Sequence, residues 1–520
     1  MSRLLSLPEV VAAHAARTPD RPAVADLSRT LSFSEWDGRA NRIANALREG
    51  FGLQPGDRVG VLAYNRLEWL ELYVGLARAG LVAVPINFRL VDSEVGFILA
   101  DCGARALIVE DRLAAGIEDA RRESGLPVVV LGGAKVGGTH GYEDLLARAS
   151  PAPPSGPAPG LDDPWVLMYT SGTTGRPKGA LQPHQSSAAI ALVTALDFGF
   201  SASDRPLLVM PMCHANSLYF FSAFAYLGAC LTVLDRRSFD PEELLRTLSE
   251  CQVTFTSLVP THYVAMLDLP PPAAESRPEG VRRKFLISSA SARRDTKLAI
   301  LDRFPGSALY ELYGSTEAGW VTLLRPDEQL THVGSVGREF TGSDRVRLLD
   351  ETGADVRPGE VGELLSRTPY TFSGYWNLPE QTAEALRGGW CSVGDLARRD
   401  EAGFIHLVDR KRNLIITGGE NVYPSEVESV LGAHPGIREV AVVGLPDARW
   451  GETVHAVVVP AAGAAVTEAE LLEWSRGRIA GYKRPRGVTF LSESEMPRTA
   501  TGKILHRALR ERLARGPVER

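Results

Sequence analysis

The stretch that decides the fold is YTSGTTGRPKG, residues 169–179, with three glycines, five hydroxyl side chains and one lysine. It overlaps the end of the apolar run WVLMY, residues 165–169, which predicts a buried strand. Glycines at the carboxyl end of a strand leave backbone N–H groups accessible, and such groups together with a lysine bind polyphosphates. Because parallel sheets bind ligands at that edge, the stretch predicts a phosphate-binding loop on an α/β sheet rather than a flexible surface turn.

This loop differs from the Walker phosphate loop, GxxxxGK[ST], in which the lysine directly follows the last glycine. Arg176 and Pro177 separate Gly175 from Lys178, and neither serine nor threonine follows the lysine. The sequence therefore predicts a phosphate loop of another kind.

The neighbouring sequence extends the α/β prediction. Apolar runs at residues 58–64, 81–87 and 106–110 alternate with helical periodicity, as at residues 68–79. This alternation is typical of a parallel sheet with crossover helices. Residues 151–160, PAPPSGPAPG, hold too many prolines for a helix or a central strand and predict an exposed connector.

Composition narrows the functional classes. The 520 residues carry a formal net charge of −6, which argues against nucleic acid as the main partner. Five scattered cysteines without a CxxC pair indicate reduced thiols in a cytoplasmic protein rather than disulfides or zinc ligands. The N-terminal residues lack the apolar core of a signal peptide. The uncharged segment 215–234 predicts a buried helix followed by a buried strand rather than a membrane span.

Further motifs follow the glycine loop in order: YELYGSTE at residues 310–317, WCSVGD at 390–395, DRKR at 409–412, GGENVYP at 418–424 and PRTATGK at 497–503. In this set and order the chain resembles the adenylate-forming superfamily, which includes acyl- and aryl-CoA synthetases, adenylation domains of peptide synthetases, and luciferases. One departure is Val393, where the family usually has threonine. The resemblance covers nearly the whole chain.

The resemblance implies an α/β fold in two parts. Residues 1–411 are expected to form a large N-terminal body of parallel and mixed sheets sandwiched by helices, with sub-units at about 1–150 and 161–411 and the connector 151–160 between them. Residues 412–520 are expected to form a smaller, mobile α+β domain, a plausible size for a domain of its own. Arg412 falls on the family's hinge between the two parts.

An ATP site is the first functional implication of the resemblance. In relatives the motif's tyrosine lies against adenine, its threonine contacts the adenylate phosphate and its glutamate holds Mg²⁺, and these roles fall on Tyr313, Thr316 and Glu317. A carboxylate suits that role because ATP reacts as its magnesium complex. The implied ATP- and AMP-binding residues are Thr170, Ser171, Gly172, Thr173, Thr174, Lys178, Ser291, Glu311, Leu312, Tyr313, Asp395 and Arg410.

The same resemblance makes Lys503, Thr316 and Glu317 the catalytic residues. A carboxylate that attacks the α-phosphate of ATP approaches a polyanion, so a lysine there neutralises developing charge. Gly418 and Gly419 match a loop that lines the pantetheine tunnel of relatives. ATP, Mg²⁺ and coenzyme A are therefore the expected co-substrates and cofactor.

The implied acyl pocket is formed by His214, Asn216, Tyr219, Ala290, Gly314 and Trp320. His214 matches a gating position near the carboxylate, and its alternative is a hydrogen-bonded core histidine. Residues 289–291, SAS, stand where relatives often have Gly-Gly-Ala, and these larger side chains would narrow the pocket on that side. With Trp320 nearby, we expect a moderate, partly polar pocket for short, branched or aryl acids; the alternative for Trp320 is core packing.

The predicted function is that of an ATP-dependent carboxylate–CoA ligase, active in fatty acid or related acid metabolism, that forms an acyl-adenylate and then a thioester. The alternatives are an adenylation enzyme that loads a separate carrier protein, a luciferase, and a non-catalytic binding protein. The last should have lost Glu317, Asp395, Arg410 or Lys503, and all four are present. We expect a small carboxylic acid, ATP and CoA as partners, no nucleic acid, no integral membrane segment, and a monomer or homodimer.

Overall fold

The computed structural model describes residues 4–134, 136–156, 158–170, 177–270, 282–288, 292–418, 420–499 and 502–514, and of Arg412 only the backbone. The chain forms two compact units, Met1–Val346 with Ser366–Cys391 and Arg347–Leu365 with Ser392–Arg520. The second unit takes in residues before 412 because strands from 347–365 and 392–411 share one sheet. The predicted boundary between residues 411 and 412 is a statement about which segments move together, and it stays a prediction.

A sheet that is parallel at its centre and antiparallel at its edges forms one layer of the first unit. Its described strands are, in spatial order, Arg338–Glu339, Gly319–Leu324, Ala308–Ser315, Lys284–Ile287, Phe255–Leu258, Pro206–Leu208, Leu231–Val233, Pro22–Ala25 and Thr30–Ser32. The six strands from Ala308–Ser315 to Pro22–Ala25 in that order run parallel, so their carboxyl ends share one edge.

A second sheet of the first unit carries the glycine loop. Its described strands are Gly374–Tyr375, Lys178–Pro183, Pro164–Thr170, Val82–Ile86, Arg58–Leu62, Ala104–Glu110, Val128–Leu131 and His140–Gly141. The strand Pro164–Thr170 runs parallel to Val82–Ile86 and antiparallel to Lys178–Pro183. A short hairpin, Leu386–Arg387 with Trp390–Cys391, completes the strands of this unit.

Helices flank both sheets. Those of the first unit are Leu7–Arg17, Phe33–Asn45, Glu68–Arg78, Asp92–Asp101, Asp111–Ala114, Glu118–Ser124, Tyr142–Arg148, His184–Phe198, Ala215–Leu227, Pro241–Glu250, Pro260–Leu267, Arg294–Arg303 and Pro379–Ala385. Local sequence sets their starts: Asp240 accepts hydrogen bonds from two N–H groups of the first turn of Pro241–Glu250, and Ser32 with Glu35 forms a capping box. Trp36, Tyr73, Trp165 and Phe221 pack together in one buried apolar cluster that draws on both sheets.

The second unit contains two described sheets. One consists of Arg347–Leu349, Val361–Leu365, Asp395–Arg399 and Ile405–Arg410. The other consists of Glu420–Val422, Ile415–Thr417, Gly451–Pro460 and Ile437–Asp447, with Gly487–Phe490 beside Gly451–Pro460. Its helices are Pro424–Gly432, Glu468–Ser475 and His506–Ala514.

The predicted α/β fold class is confirmed, with large mixed sheets flanked by helices and a smaller unit that contains the C-terminal residues. The segment 215–234 folds into the helix Ala215–Leu227 and the strand Leu231–Val233, as predicted. None of the helices within the described ranges has the length and apolar character needed to cross a bilayer. The helix Glu468–Ser475 ends where Arg476 has an extended backbone.

Candidate active site

The strand pair around the glycine loop brings the two ends of the loop together. Thr170 lies opposite Lys178 in the antiparallel register of Pro164–Thr170 and Lys178–Pro183. The Lys178 side chain is largely buried, and its Nζ lies 5.1 Å from the centre of the Tyr375 ring, a cation–π distance. The predicted phosphate ligands Ser171, Gly172, Thr173 and Thr174 lie outside the described residues.

Glu317 is held at the same place. Its side chain is buried, and Oε1 accepts hydrogen bonds from the Tyr375 hydroxyl at 2.9 Å and from Thr170 Oγ1 at 3.3 Å. A carboxylate therefore stands next to the end of the predicted phosphate loop. Tyr375 belongs to no sequence motif, and it reaches Glu317 through the short strand Gly374–Tyr375 beside Lys178–Pro183.

This arrangement fits a magnesium ion bound together with a nucleotide. Mg²⁺ in such sites is held by one or two carboxylates and by substrate phosphates, with water in the remaining positions. Glu317 supplies one carboxylate whose Oε1 is fixed by two donors. The structure records no hydrogen-bond donor to Oε2 among the residues it describes, which leaves that oxygen for a cation.

The strand Ala308–Ser315 carries the motif predicted to bind adenine. Tyr313 is partly exposed, whereas Glu311 and Leu312 are buried. Glu311 Oε2 lies 2.5 Å from Lys297 Nζ, and both side chains are almost completely buried. The Glu311 side chain is thus paired inside the protein, and the predicted contacts of these three residues with nucleotide stay predictions.

The Thr316 carbonyl joins the strand Lys178–Pro183, called the phosphate strand below, to Tyr219, a residue predicted for the acyl pocket. Its oxygen accepts hydrogen bonds from Gln182 Nε2 at 2.6 Å and from the Tyr219 hydroxyl at 3.3 Å. Gln182 lies on the strand Lys178–Pro183, and Tyr219 lies on the helix Ala215–Leu227. The backbone just before Glu317 is therefore fixed from two sides; sequence reasoning missed Gln182, since this contact joins residues 134 positions apart.

Two aromatic residues predicted for the acyl pocket pack against each other within the buried apolar cluster. Tyr219 and Trp320 pack edge to face with ring centroids 5.1 Å apart. Trp320 is 4% exposed, and its Nε1 donates to Thr194 Oγ1 at 2.9 Å. Gly319 has φ +69°, and a Cβ there would lie 2.4 Å from Tyr370 Cδ2. The Trp320 indole is thus held in one orientation by its neighbours.

Gly314 lies on the strand Ala308–Ser315, directly opposite Trp320 on the neighbouring strand Gly319–Leu324. A Cβ at Gly314 would lie 2.3 Å from the carbonyl oxygen of Gly319, so glycine is required there. The structure therefore brings Tyr219, Gly314 and Trp320 together, next to Thr316. Ala290 and Ser291, predicted for the acyl and nucleotide sites, lie outside the described residues.

His214 and Asn216 begin the helix that carries Tyr219. His214 Nδ1 accepts a hydrogen bond from the Asn216 backbone N–H at 3.3 Å, and burial lowers the pKa of His214 to about 4. His214 is therefore neutral near pH 7, which suits hydrogen bonding rather than charge neutralisation. Asn216 Nδ2 donates to Ser288 Oγ at 3.2 Å, and Ser288 Oγ lies 3.2 Å from Ser257 Oγ.

In the second unit, the two residues predicted to bind ribose pair with each other. Asp395 and Arg410 lie opposite in the antiparallel strands Asp395–Arg399 and Ile405–Arg410. Arg410 Nε lies 2.9 Å from Asp395 Oδ1. Asp395 is buried and Arg410 partly exposed, so the pair places an oriented carboxylate beside a cation.

Contacts on both sides of the predicted hinge join Asp409 to Ser425. Asp409 Oδ2 accepts from the Ser425 backbone N–H at 3.0 Å, and the Ser425 hydroxyl donates to the carbonyl oxygen of Val408. Burial raises the pKa of Asp409, although its hydrogen bonds oppose that shift. These contacts connect the segments before and after Arg412, whose side chain lies outside the described atoms.

Gly418 lies against an indole ring. With φ +60°, it would bring a Cβ to 2.9 Å from Trp450 Cε3, and its N–H donates to the Trp450 carbonyl oxygen at 2.8 Å. Glycine is therefore needed at this position for local packing. Gly419 lies outside the described residues, and the predicted CoA tunnel stays a prediction.

Lys503 lies on a tight turn. Thr499 N–H donates to the Lys503 carbonyl oxygen at 2.8 Å, and Lys503 N–H donates to Thr499 Oγ1 at 3.1 Å. The Lys503 residue is exposed. The backbone of the predicted catalytic lysine is thus fixed by Thr499, at an exposed position of the chain.

Comparison with known proteins places these sites in a family. Residues 11–376 match the AMP-binding enzyme family, and residues 426–503 match the AMP-binding enzyme C-terminal domain. The chain is 38% identical over 499 residues to a feruloyl-CoA synthase from an Amycolatopsis species, covering 96% of this chain and 97% of that protein. It is 36% identical to an indoleacetate–CoA ligase from Aromatoleum aromaticum, covering 98% and 99% of the two chains.

Two further similarities broaden the comparison. The chain is 34% identical to the fatty acid–[acyl-carrier-protein] ligase ScoC from Streptomyces coeruleorubidus, covering 98% of this chain and 97% of that protein. The crystal structure of ATP-bound MatB from Rhodopseudomonas palustris superposes with a TM-score of 0.87 at 32% identity, covering 98% and 99% of the two chains. The predicted membership of the adenylate-forming superfamily is confirmed, and the chain belongs to the AMP-binding enzyme family as an AMP-forming acid–thiol ligase.

Proposed function

We propose that the protein is an acid–CoA ligase that converts an aromatic carboxylic acid, ATP and CoA into the aryl-CoA thioester, AMP and pyrophosphate. The observation that carries the proposal is the double hydrogen bond on the Thr316 carbonyl, from Gln182 on the phosphate strand and Tyr219 beside Trp320. It holds the backbone next to Glu317, a carboxylate that accepts a hydrogen bond from Thr170 at the start of the predicted phosphate loop, close to the paired rings of Tyr219 and Trp320. All of these residues belong to the first unit, which can therefore hold the phosphates and the aryl group at a fixed distance from each other.

In the first half-reaction the substrate carboxylate attacks the α-phosphorus of ATP. The bond between the α-phosphorus and the bridging oxygen breaks, pyrophosphate leaves, and the acyl-adenylate remains. Lys178 and the glycine loop neutralise the β- and γ-phosphates, and Lys503 neutralises charge between the carboxylate and the α-phosphate. Glu317 would hold Mg²⁺, which when bound neutralises further phosphate charge.

In the second half-reaction the CoA thiol attacks the acyl carbon and loses its proton. The bond from that carbon to the adenylate oxygen breaks, and AMP leaves. The resemblance implies that the segment after Arg412 rotates between the two steps, which withdraws Lys503 and brings the loop at Gly418 to the thiol. Asp395 and Arg410 hold the ribose hydroxyls through both steps in this proposal.

The aromatic acid class is favoured by the rings themselves. Trp320 is fixed by Thr194, and its edge-to-face contact with Tyr219 suits a flat substrate ring better than a long flexible chain. The feruloyl-CoA synthase and the indoleacetate–CoA ligase, both similar over nearly the whole chain, are named for aromatic acids. A neutral His214 at the start of the helix agrees with a gating role near the carboxylate.

The test is a panel of carboxylic acids scored for pyrophosphate release with and without CoA. We expect CoA-dependent turnover, with cinnamate-like or arylacetic acids ahead of long-chain fatty acids. Trp320→Leu should lower kcat/KM for the best aryl acid about tenfold relative to a medium-chain acid, because a hydrophobic contact of this size discriminates by roughly 1–3 kcal/mol. Thr194→Val keeps the indole and removes only its acceptor, so it should change this ratio less. Faster turnover of long-chain acids would overturn the aromatic assignment.

Loading of a separate carrier protein is the second candidate, and the similarity to ScoC favours it. Adding a phosphopantetheinylated carrier protein to the panel distinguishes the two candidates, because a carrier-loading enzyme would transfer its acyl group to the carrier and not to CoA. The cytoplasmic location and the monomeric or homodimeric state stay predictions.

A further inference from the structure

The turn that carries Lys503 is attached to the second unit on both flanks. On one flank the Arg498 guanidinium pairs with Glu439 on the strand Ile437–Asp447, and it donates to the Gly502 carbonyl oxygen at 3.1 Å. On the other flank His506 Nε2 lies 2.7 Å from Glu428 Oε1 on the helix Pro424–Gly432. The exposed lysine thus projects from a segment with two charged anchors.

Glu428, which binds His506, is itself hydrogen-bonded to the strand Ile437–Asp447. Glu428 Oε1 also accepts a hydrogen bond from the Val442 backbone N–H at 2.8 Å. His506 is the first residue of the helix His506–Ala514, whose Leu509 is completely buried in an apolar cluster with Ala441 and Val443. His506 therefore stands between a packed helix and the turn, and it is three positions from Lys503.

The charges around His506 favour its protonated form. Glu428 and Asp409 attract the imidazolium, and Lys503 repels it. Burial alone lowers the pKa of His506, but the hydrogen bond and charge of Glu428, with the charge of Asp409, outweigh burial and raise it above its ordinary value of 6.5. The side chains of His506 and Glu428 are 22% and 23% exposed, so solvent screens the pair only in part.

We propose that His506 is a positioning residue for adenylate formation, which as an imidazolium bound to Glu428 holds the turn of Lys503 in its productive orientation. This inference rests on the proposed role of Lys503. The ion pair is complete below pH 6.5 and is lost as the pH rises through the raised pKa of His506. Adenylate formation should weaken over that window, whereas a step that does not use Lys503 should not.

The experiment measures the two half-reactions separately between pH 6 and 9. Pyrophosphate release from ATP and acid reports adenylate formation, and thioester formation from supplied acyl-adenylate and CoA reports the second step. His506→Gln should slow the first at least about tenfold at pH 6.5, in line with loss of a charged hydrogen bond, and should spare the second. His506→Arg keeps a positive charge at every pH, so it should restore the rate and remove the decline that we expect in the unaltered enzyme.

A matched control is His434→Gln. His434 lies 3.3 Å from Glu470 in the same unit, away from the Lys503 turn, so its replacement tests the loss of a histidine–glutamate pair as such. It should leave the ratio of the two half-reactions unchanged. If His506→Gln does not fold, Glu428→Gln removes the opposite charge of the same ion pair and should give the same selective loss.

The possible failures are distinguishable. Equal slowing of both half-reactions by His506→Gln, or an unaltered pH decline in His506→Arg, would overturn the positioning role. If Lys503→Ala leaves pyrophosphate release intact, the proposed role of Lys503 fails, and the positioning proposal fails with it. An effect of Lys503→Ala without a selective effect of His506→Gln would reject His506 alone.

Discussion

Glu317 and Lys503 carry two charges on which the proposed chemistry depends, and their surroundings are opposite. Glu317 is 7% exposed, its carboxylate receives two hydrogen bonds, and the carbonyl of the preceding residue receives two more. Lys503 is exposed, and its backbone is tied to Thr499. Glu317 is thus held in place by buried hydrogen bonds, whereas Lys503 lies in the exposed segment that is predicted to move between the two half-reactions.

This difference agrees with a reaction in two steps. Phosphate binding needs its groups preorganised, because reorientation at the moment of reaction is costly. A charge required in only one step gains from a long side chain on a tethered turn. The predictions below separate these two kinds of site.

The largest effect is expected at Lys503. Lys503→Ala should slow adenylate formation by at least 10² to 10³, since a lost charge-stabilising donor costs about 3–4 kcal/mol at the transition state. Thioester formation from supplied acyl-adenylate should be preserved, as measured by single-turnover kinetics. Lys483→Ala removes another lysine of the same unit, paired with Glu426, and serves as the control. Equal losses in both steps would contradict the distinction drawn above.

At the fixed charge we expect a loss that depends on magnesium. Glu317→Gln keeps an acceptor for Tyr375 but removes the negative charge, so adenylate formation should fall about 10²-fold, on the scale of one lost electrostatic interaction in a site. The Mg²⁺ concentration for half-maximal pyrophosphate release should rise. An unchanged Mg²⁺ requirement would show that Glu317 does not hold the cation.

A smaller effect is expected from the hydroxyl that orients Glu317. Tyr375→Phe removes the donor and keeps an aromatic face toward Lys178, so adenylate formation should fall at least about tenfold, because hydrogen bonds to charged groups are worth about 1.5–3 kcal/mol. The control is Tyr142→Phe. The Tyr142 hydroxyl donates to the buried Glu71 at 2.6 Å elsewhere in the first unit. That variant should change the denaturation midpoint and not the kinetics.

The smallest effect is expected on the tether of Lys503. Thr499→Val removes Oγ1, the acceptor of the Lys503 N–H, and should slow adenylate formation about fivefold, in line with a neutral hydrogen bond worth roughly 1 kcal/mol. Thr467→Val removes a comparable acceptor, that of the Glu470 N–H, and is the control. A slowing of thioester formation by Thr499→Val would mean that the turn does not act through Lys503.

Much of the fold could be predicted from local pattern. The run at residues 106–110 lies in the strand Ala104–Glu110, and the helix expected at 68–79 is Glu68–Arg78, because both follow hydrophobic periodicity. The position of the glycine loop after a strand was also readable. The inclusion of residues 347–365 in the second unit was not, since it depends on pairing between strands distant in sequence.

The site was predictable only where motifs exist. Glu317 and Thr170 come from motifs, and the structure joins them by a hydrogen bond. Tyr375, Gln182 and Thr194 belong to no motif, and each acts through a contact made only in the folded chain. The exact partners of a buried polar group depend on tertiary geometry that a linear pattern does not encode.

The contacts between Ser425 and residues 408–409 have a kinetic consequence. If the segment after Arg412 rotates, both hydrogen bonds of Ser425 must break. At about 0.5–1.5 kcal/mol each, they bias the rotation by roughly 1–3 kcal/mol, or about 5- to 150-fold in population. The two hydrogen bonds therefore add to the free energy needed to rotate the segment after Arg412, and they would slow a step that requires this rotation.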